Sequence, residues 1–223
     1  FFILPMILFP LLAMGIEKIL HKQNWLPLAI AVALSLISNF YFAYMLAIGS
    51  LVYLVTRWVA IHHHYPDRIQ PVKTLYCLAQ AIISGILTAS VVLLPTLMTV
   101  LQSTRIAYHA KFANGLLLYP LKYYLSLPDQ IVTSTTTKDY WLVLNFCGLT
   151  FLAAVYILKH FSKFRSLAII ITLTIVALLF PQFSALANAM STPSNRWLFL
   201  IVLPMCLATM IFVDRLPKLT RSD

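Results

Sequence analysis

The sequence predicts an all-α fold: a multi-spanning transmembrane helical bundle that contains a short helical hairpin and an outer interfacial helix. Three observations predict it. Of the 223 residues, 61% are apolar and 10% charged, against roughly 45–50% and about 25% in a soluble domain, which excludes a water-soluble globule. The apolar residues form continuous runs, whereas the strands of a membrane barrel alternate over about ten residues; helices are left as the elements that satisfy their own backbone in lipid. The 16 Lys and Arg stand against 6 Asp and Glu for a net charge of +10. They cluster between the runs, as basic loops lying on a membrane surface do, and form no stripe that could follow a nucleic acid.

The runs cover residues 1–16, 26–55, 75–98, 140–158, 167–183 and 197–213. Crossing a ~30 Å hydrocarbon core takes about 20 helical residues, with 17 near the lower limit, so each of the last four crosses once. The first begins at Phe1 in mid-stretch, with neither an initiator Met nor a basic region before it, and reads as part of an internal piece of a longer protein. Residues 26–55 would make a single helix of about 45 Å, too long for one crossing without unusual tilt. Ser38 and Asn39 interrupt it. A hairpin turning near residues 38–42 gives spans at 26–38 and 42–57 and places 11 of the 16 Lys and Arg inside, whereas a single crossing places 9 inside. The positive-inside rule favours the hairpin, with arms short enough to be buried among other helices.

The long outer stretch, residues 100–139, holds an apolar, tyrosine-rich segment at 115–127 that is too short to span. It is expected to be an interfacial or re-entrant helix. Residues 133–137, a Ser/Thr tract, read as an exposed turn. Cys77, Cys147 and Cys206 each lie in an apolar run with no metal-ligand spacing, and are read as buried, inert thiols outside any disulfide framework.

Few residues offer chemistry. Three adjacent side chains such as His62, His63 and His64 do not converge on one ion, so they read as a solvated cytoplasmic loop; no metal or cofactor is expected. Arg105 and His109 are spaced to share a helix face near the outer interface. Asp129 and Asp139 have no partner acid for a paired-carboxylate glycosidase site, and no P-loop, nucleophile elbow or dinucleotide fingerprint occurs. Two strings stand out. In residues 38–45 the amide of Asn39 and the phenols of Tyr41 and Tyr44 interrupt an apolar run, either as aromatic-belt anchors or as the lining of a polar cavity. At 194–197, Ser-Asn-Arg-Trp opens the last span, where Asn195 is a helix-capping candidate and Arg196 is suited to hold a phosphate beside free backbone N–H groups. The alternative for Arg196 is a snorkelling anchor beside a belt Trp.

These two strings, with Leu4-Pro5, Gly15-Ile16-Glu17-Lys18 and Pro95-Thr96, resemble the YfhO family of bacterial membrane proteins, in the family's order over nearly the whole chain. The resemblance implies a C-type glycosyltransferase-like architecture (GT-C) in the bacterial cell membrane, a polyprenyl-phosphate sugar donor, and an envelope polymer such as lipoteichoic acid as acceptor. It also implies that the catalytic carboxylate lies upstream of Phe1, so no catalytic residue is assigned here. The site residues it points to are Arg196, Asn195 and Arg105 for the donor phosphate, and Asn39, Tyr41 and Tyr44 for the donor cavity. A transporter or lipid flippase is the rival reading, with a structural scaffold third; the absence of charges inside the apolar runs favours the enzyme.

Overall fold

A computed structural model describes residues 3–22, 24–64, 70–101, 118–132, 146–188 and 193–218, and every regular element among them is helical. The chain forms two compact units, Phe1–His109 and Ala110–Asp223.

The first unit holds α1 (Ile3–Lys22), α2 (Leu26–Ser38), α3 (Phe40–His64) and α4 (Pro71–Leu101). The break between α2 and α3 falls at Asn39, whose backbone is extended and whose side-chain Oδ1 accepts hydrogen bonds from the N–H groups of Tyr41 (2.9 Å) and Phe42 (3.4 Å). An Asn at this position starts a new helix by satisfying N–H groups that would otherwise be orphaned. Gly15 of α1 meets the backbone of Leu28 at the start of α2, while the far ends of α1 and α3 are joined by an ion pair between Glu17 and Arg57. Helices α1 and α3 therefore run parallel and α2 returns between them, which is the expected hairpin. Its arms are unequal: α2 has 13 residues and α3 has 25. α2 packs mainly against α4 and α1, so its limited length, about 20 Å, is accommodated by protein.

The second unit contains α5 (Leu121–Val132), α6 (Gly148–Lys159), α7 (Arg165–Leu179) and α8 (Pro181–Ala187), then a 3-10 segment, Asn195–Ile201, that leads into α9 (Val202–Arg215). α7 and α8 meet at 104°. Pro181 supplies the reason, because it has no N–H to continue the α7 ladder and its ring clashes with the preceding turn. The 3-10 segment similarly precedes Pro204, near the start of α9. Lys159 and Arg215 sit in the last turns of α6 and α9, where cations meet the negative ends of the helix dipoles.

Among the described residues, four segments are long and apolar enough to cross a membrane: Ile3–His21, Phe40–His63, Pro71–Thr99 and Asn195–Arg215. The bent pair α7–α8 is a fifth if it counts as one span; α2 and α6 are shorter apolar helices. The expected all-α multi-helix architecture is thus the observed one, and a short helix, α5, begins a few residues after the start of the expected segment at 115–127.

Several local expectations change. His62 and His63 are exposed but continue α3 instead of forming a loop. The run 167–183 is two helices, not one. Cys77 is buried, yet Cys147 and Cys206 are exposed: Cys147 is the extended residue before α6, and Cys206 lies on a face of α9 that turns outward. Arg105, His109, Asp139 and the tract 133–137 lie outside the described residues.

Candidate functional site

The second unit builds a polar cluster at the helix break. A 104° bend at a proline leaves carbonyls at the end of α7 without intrahelical partners, a costly state away from water. Two tyrosines of α5 resolve it: Tyr123 Oη donates to the Leu178 carbonyl (3.0 Å) and Tyr124 Oη to the Leu179 carbonyl (2.8 Å). Tyr119 stacks on Tyr123, with ring centroids 4.0 Å apart, and its N–H donates to Tyr124 Oη at 3.1 Å.

The cluster continues into the 3-10 segment. Trp197 Nε1 donates to Ser184 Oγ (3.3 Å), Ser184 Oγ donates to Asn195 Oδ1 (2.6 Å), and Asn195 Nδ2 donates to Tyr123 Oη (3.3 Å). Each hydroxyl thus accepts one bond and donates another, in a directed chain from the Trp197 indole to the Leu178 carbonyl. Ser184 is completely buried and Asn195 is 1% exposed, so the bonds form in a low-dielectric interior where polar partners fix geometry firmly. Ser194, also buried, has a hydroxyl with no hydrogen-bond partner among the described residues. Arg196 is half-buried and immediately follows the anchored Asn195.

This arrangement redistributes the roles read from the sequence. The side-chain oxygen of Asn195 is occupied by Ser184 and its nitrogen bonds Tyr123, so Asn195 is a positioning residue that fixes the backbone from which Arg196 projects. The hydrogen-bonding roles of Tyr123, Ser184 and Trp197 have no local sequence signal, because their partners lie 11 to 72 positions away in the chain; by sequence Trp197 reads only as a belt residue.

The first unit builds two further features. At the shared end of α1 and α3, Glu17 Oε1 accepts from Arg57 Nε and from Tyr53 Oη (2.8 Å), and Glu17 Oε2 accepts from Arg57 Nη2 (2.9 Å). His21 Nε2 lies 3.1 Å from the same carboxylate. The fork-on-carboxylate geometry is the strong form of an ion pair. Beside it lies a half-open apolar cleft of about 340 Å³, lined by Leu12 and Ile16 of α1, Leu28 of α2, Ala47 and Leu54 of α3, and Ile82 of α4, among others.

Asn39, Tyr41 and Tyr44 do not line this cleft. Asn39 is exposed and acts as the α3 cap, which satisfies its amide oxygen locally; Tyr41 packs edge-on against Phe42, with ring centroids 5.3 Å apart. The cavity-lining role expected of these three is therefore not supported at the described cleft, whose α3 wall is the next face of the helix.

The profile described as "Bacterial membrane protein YfhO" matches residues 1–223. The chain belongs to the YfhO family. It is 26% identical over 235 residues to the uncharacterized protein YfhO of Bacillus subtilis (strain 168), an alignment that covers all of this chain and 24% of that relative. The chain thus spans about a quarter of the relative's length. No solved structure matches. As a YfhO-family chain with several membrane-length apolar helices, it is a multi-pass bacterial membrane protein.

Proposed function

We propose that this chain is a membrane-embedded part of a glycosyltransferase that takes a sugar from a polyprenyl-phosphate donor and passes it to an envelope acceptor such as lipoteichoic acid. The observation that carries the reading is Arg196, held at the start of a membrane-length helix by the buried Asn195–Ser184–Tyr123 chain. The first N–H groups of a helix and its dipole favour an anion, and Arg adds a planar cationic fork. The buried Ser194 hydroxyl supplies a further donor at the same turn.

The chemistry is a displacement at the sugar's anomeric carbon. An acceptor hydroxyl oxygen forms the new bond, its proton passes to a carboxylate base, and the bond to the phosphate oxygen breaks with its electron pair leaving on the polyprenyl phosphate. Arg196 and the helix start meet that developing charge. No residue of this chain is assigned as the base. The 104° break between α7 and α8 favours one rival, a lipid flippase, since broken helices line translocation paths.

The test is transfer rate against donor concentration in the full-length protein. A charge-assisted hydrogen bond contributes roughly 1.5–3 kcal/mol, so Arg196→Ala is expected to weaken donor use by roughly 10- to 100-fold. Arg196→Lys should recover only part, because it keeps the charge and loses the fork. Full activity in both variants would rule the phosphate role out and return Arg196 to an anchor.

A further inference from the structure

The cleft of the first unit is a built feature. Gly15 and Gly85 let α2 close tightly on its neighbours: a Cβ at either position would come within 2.7 Å of Leu28 Cα or Val32 Cγ1. On α3, by contrast, small residues face the space, with Ala43, Ala47 and Ser50 along one stripe of its wall. α3 packs on α1 and α2, and α4 on α2 and α1, leaving the mouth between α3 and α4. There Leu51 and Ile82 are 60% and 46% exposed.

Independently of the sugar-transfer reading, we propose that this cleft seats one anionic diacyl phospholipid of the cytoplasmic leaflet, with an acyl chain among α1–α4 and its phosphate at the Arg57 end. The volume of about 340 Å³ holds about eleven water-sized groups at about 30 Å³ each, enough for a stretch of methylenes. An apolar space of this kind excludes water, and a mouth on the apolar flank of the bundle admits hydrocarbon.

Charge selects the headgroup. The cleft's stripe on α3 continues from Leu54 to Arg57, one turn on. There the Glu17 carboxylate is outnumbered by Arg57 and the adjacent Lys18. The charge split places this end inside, where the leaflet is rich in anionic lipids.

Ser50 selects a diacyl lipid over an isoprenoid one. Ser35 and Thr56 hydrogen-bond back to carbonyls of their own helices, but the buried Ser50 oxygen, at the cleft wall, has no partner among the described residues. It lies seven residues, about 10 Å along the helix, from Arg57. A diacyl phospholipid carries ester carbonyls below its phosphate that can accept from Ser50; a polyprenyl chain carries none.

The full-length protein, purified in mild detergent and examined by native mass spectrometry, should retain about one phosphatidylglycerol per chain. Ala47→Phe, which fills the cleft, should lower retention at least about tenfold, and Ser50→Ala, which removes only the hydroxyl, about 2- to 10-fold. Delipidated wild-type protein should take up phosphatidylglycerol in preference to phosphatidylcholine with the same acyl chains. Should Ala47→Phe fold poorly, Ser50→Ala and the headgroup comparison still decide. Unchanged retention in Ser50→Ala, equal uptake of the two headgroups, or preferential uptake of a polyprenyl phosphate overturns the assignment.

Discussion

Replacing Asn195 with Ala breaks the buried hydrogen-bond chain at its middle. The side chain is 1% exposed and joins Ser184 at 2.6 Å to Tyr123 at 3.3 Å. Truncation removes both bonds, each contributing about 1 kcal/mol net, and leaves the Ser184 hydroxyl proton without its acceptor, a penalty of about 1–3 kcal/mol for a buried polar group. The expected loss is about 2–4 kcal/mol, because some relaxation into the vacated space offsets the sum. Asn195→Asp keeps an acceptor for Ser184 but loses the donor to Tyr123 and buries a charge, so it should cost at least as much. Asn39→Ala is the internal comparison: an exposed N-cap contributes about 1 kcal/mol. Unfolding of the full-length protein titrated in mixed micelles orders the three variants. If both Asn195 variants stay within about 0.5 kcal/mol of wild type, the buried chain does not hold this turn and the positioning of Arg196 loses its basis.

Other outcomes follow from the packing. Gly15→Ala and Gly85→Ala should each destabilise by about 1–3 kcal/mol through overpacking against α2, whereas Gly148→Ala, with open space around the added carbon, should be neutral or stabilising in the same unfolding assay. Glu17→Gln and Arg57→Gln should each destabilise, with the double variant less damaging than the sum; a double-mutant coupling below about 0.5 kcal/mol would count the ion pair as incidental. Single cysteines at the exposed Phe40 and at Ser162, with the native cysteines replaced, should be labelled by an impermeant thiol reagent on intact cells at Phe40→Cys only; the reverse pattern would invert the orientation.

The helical architecture was legible because each run's length and continuity leave lipid-embedded helices as the answer, and the hairpin because Asn39 interrupts its run at the point the basic residues require. The length of α3 was not. α3 runs on through Arg57 to His64, and Arg57, which by sequence marks a helix end, is paired with the carboxylate of Glu17, 40 residues earlier. Pro181 was in plain view, yet the surrounding apolar residues masked the break, since a proline inside a membrane helix is also tolerated, as Pro10 and Pro95 are within α1 and α4. The string 194–197 was legible as a special helix start, but which of its side chains turns inward was set by Tyr123 and Ser184. For Asn39, the amide oxygen accepts from the N–H groups of Tyr41 and Phe42, because an N–H two or three residues away costs less entropy to reach than a tertiary partner.

Under the proposed function, a sugar leaves a lipid phosphate at this membrane protein and becomes covalently attached to an acceptor. The most direct measurement places purified full-length protein in liposomes with a polyprenyl-phosphate donor carrying a radiolabelled sugar, with lipoteichoic acid as acceptor, and follows the label. Label is expected on the polymer, dependent on donor concentration and strongly reduced in Arg196→Ala. Label that crosses the bilayer as intact lipid, with none on the polymer, would contradict it and identify a flippase.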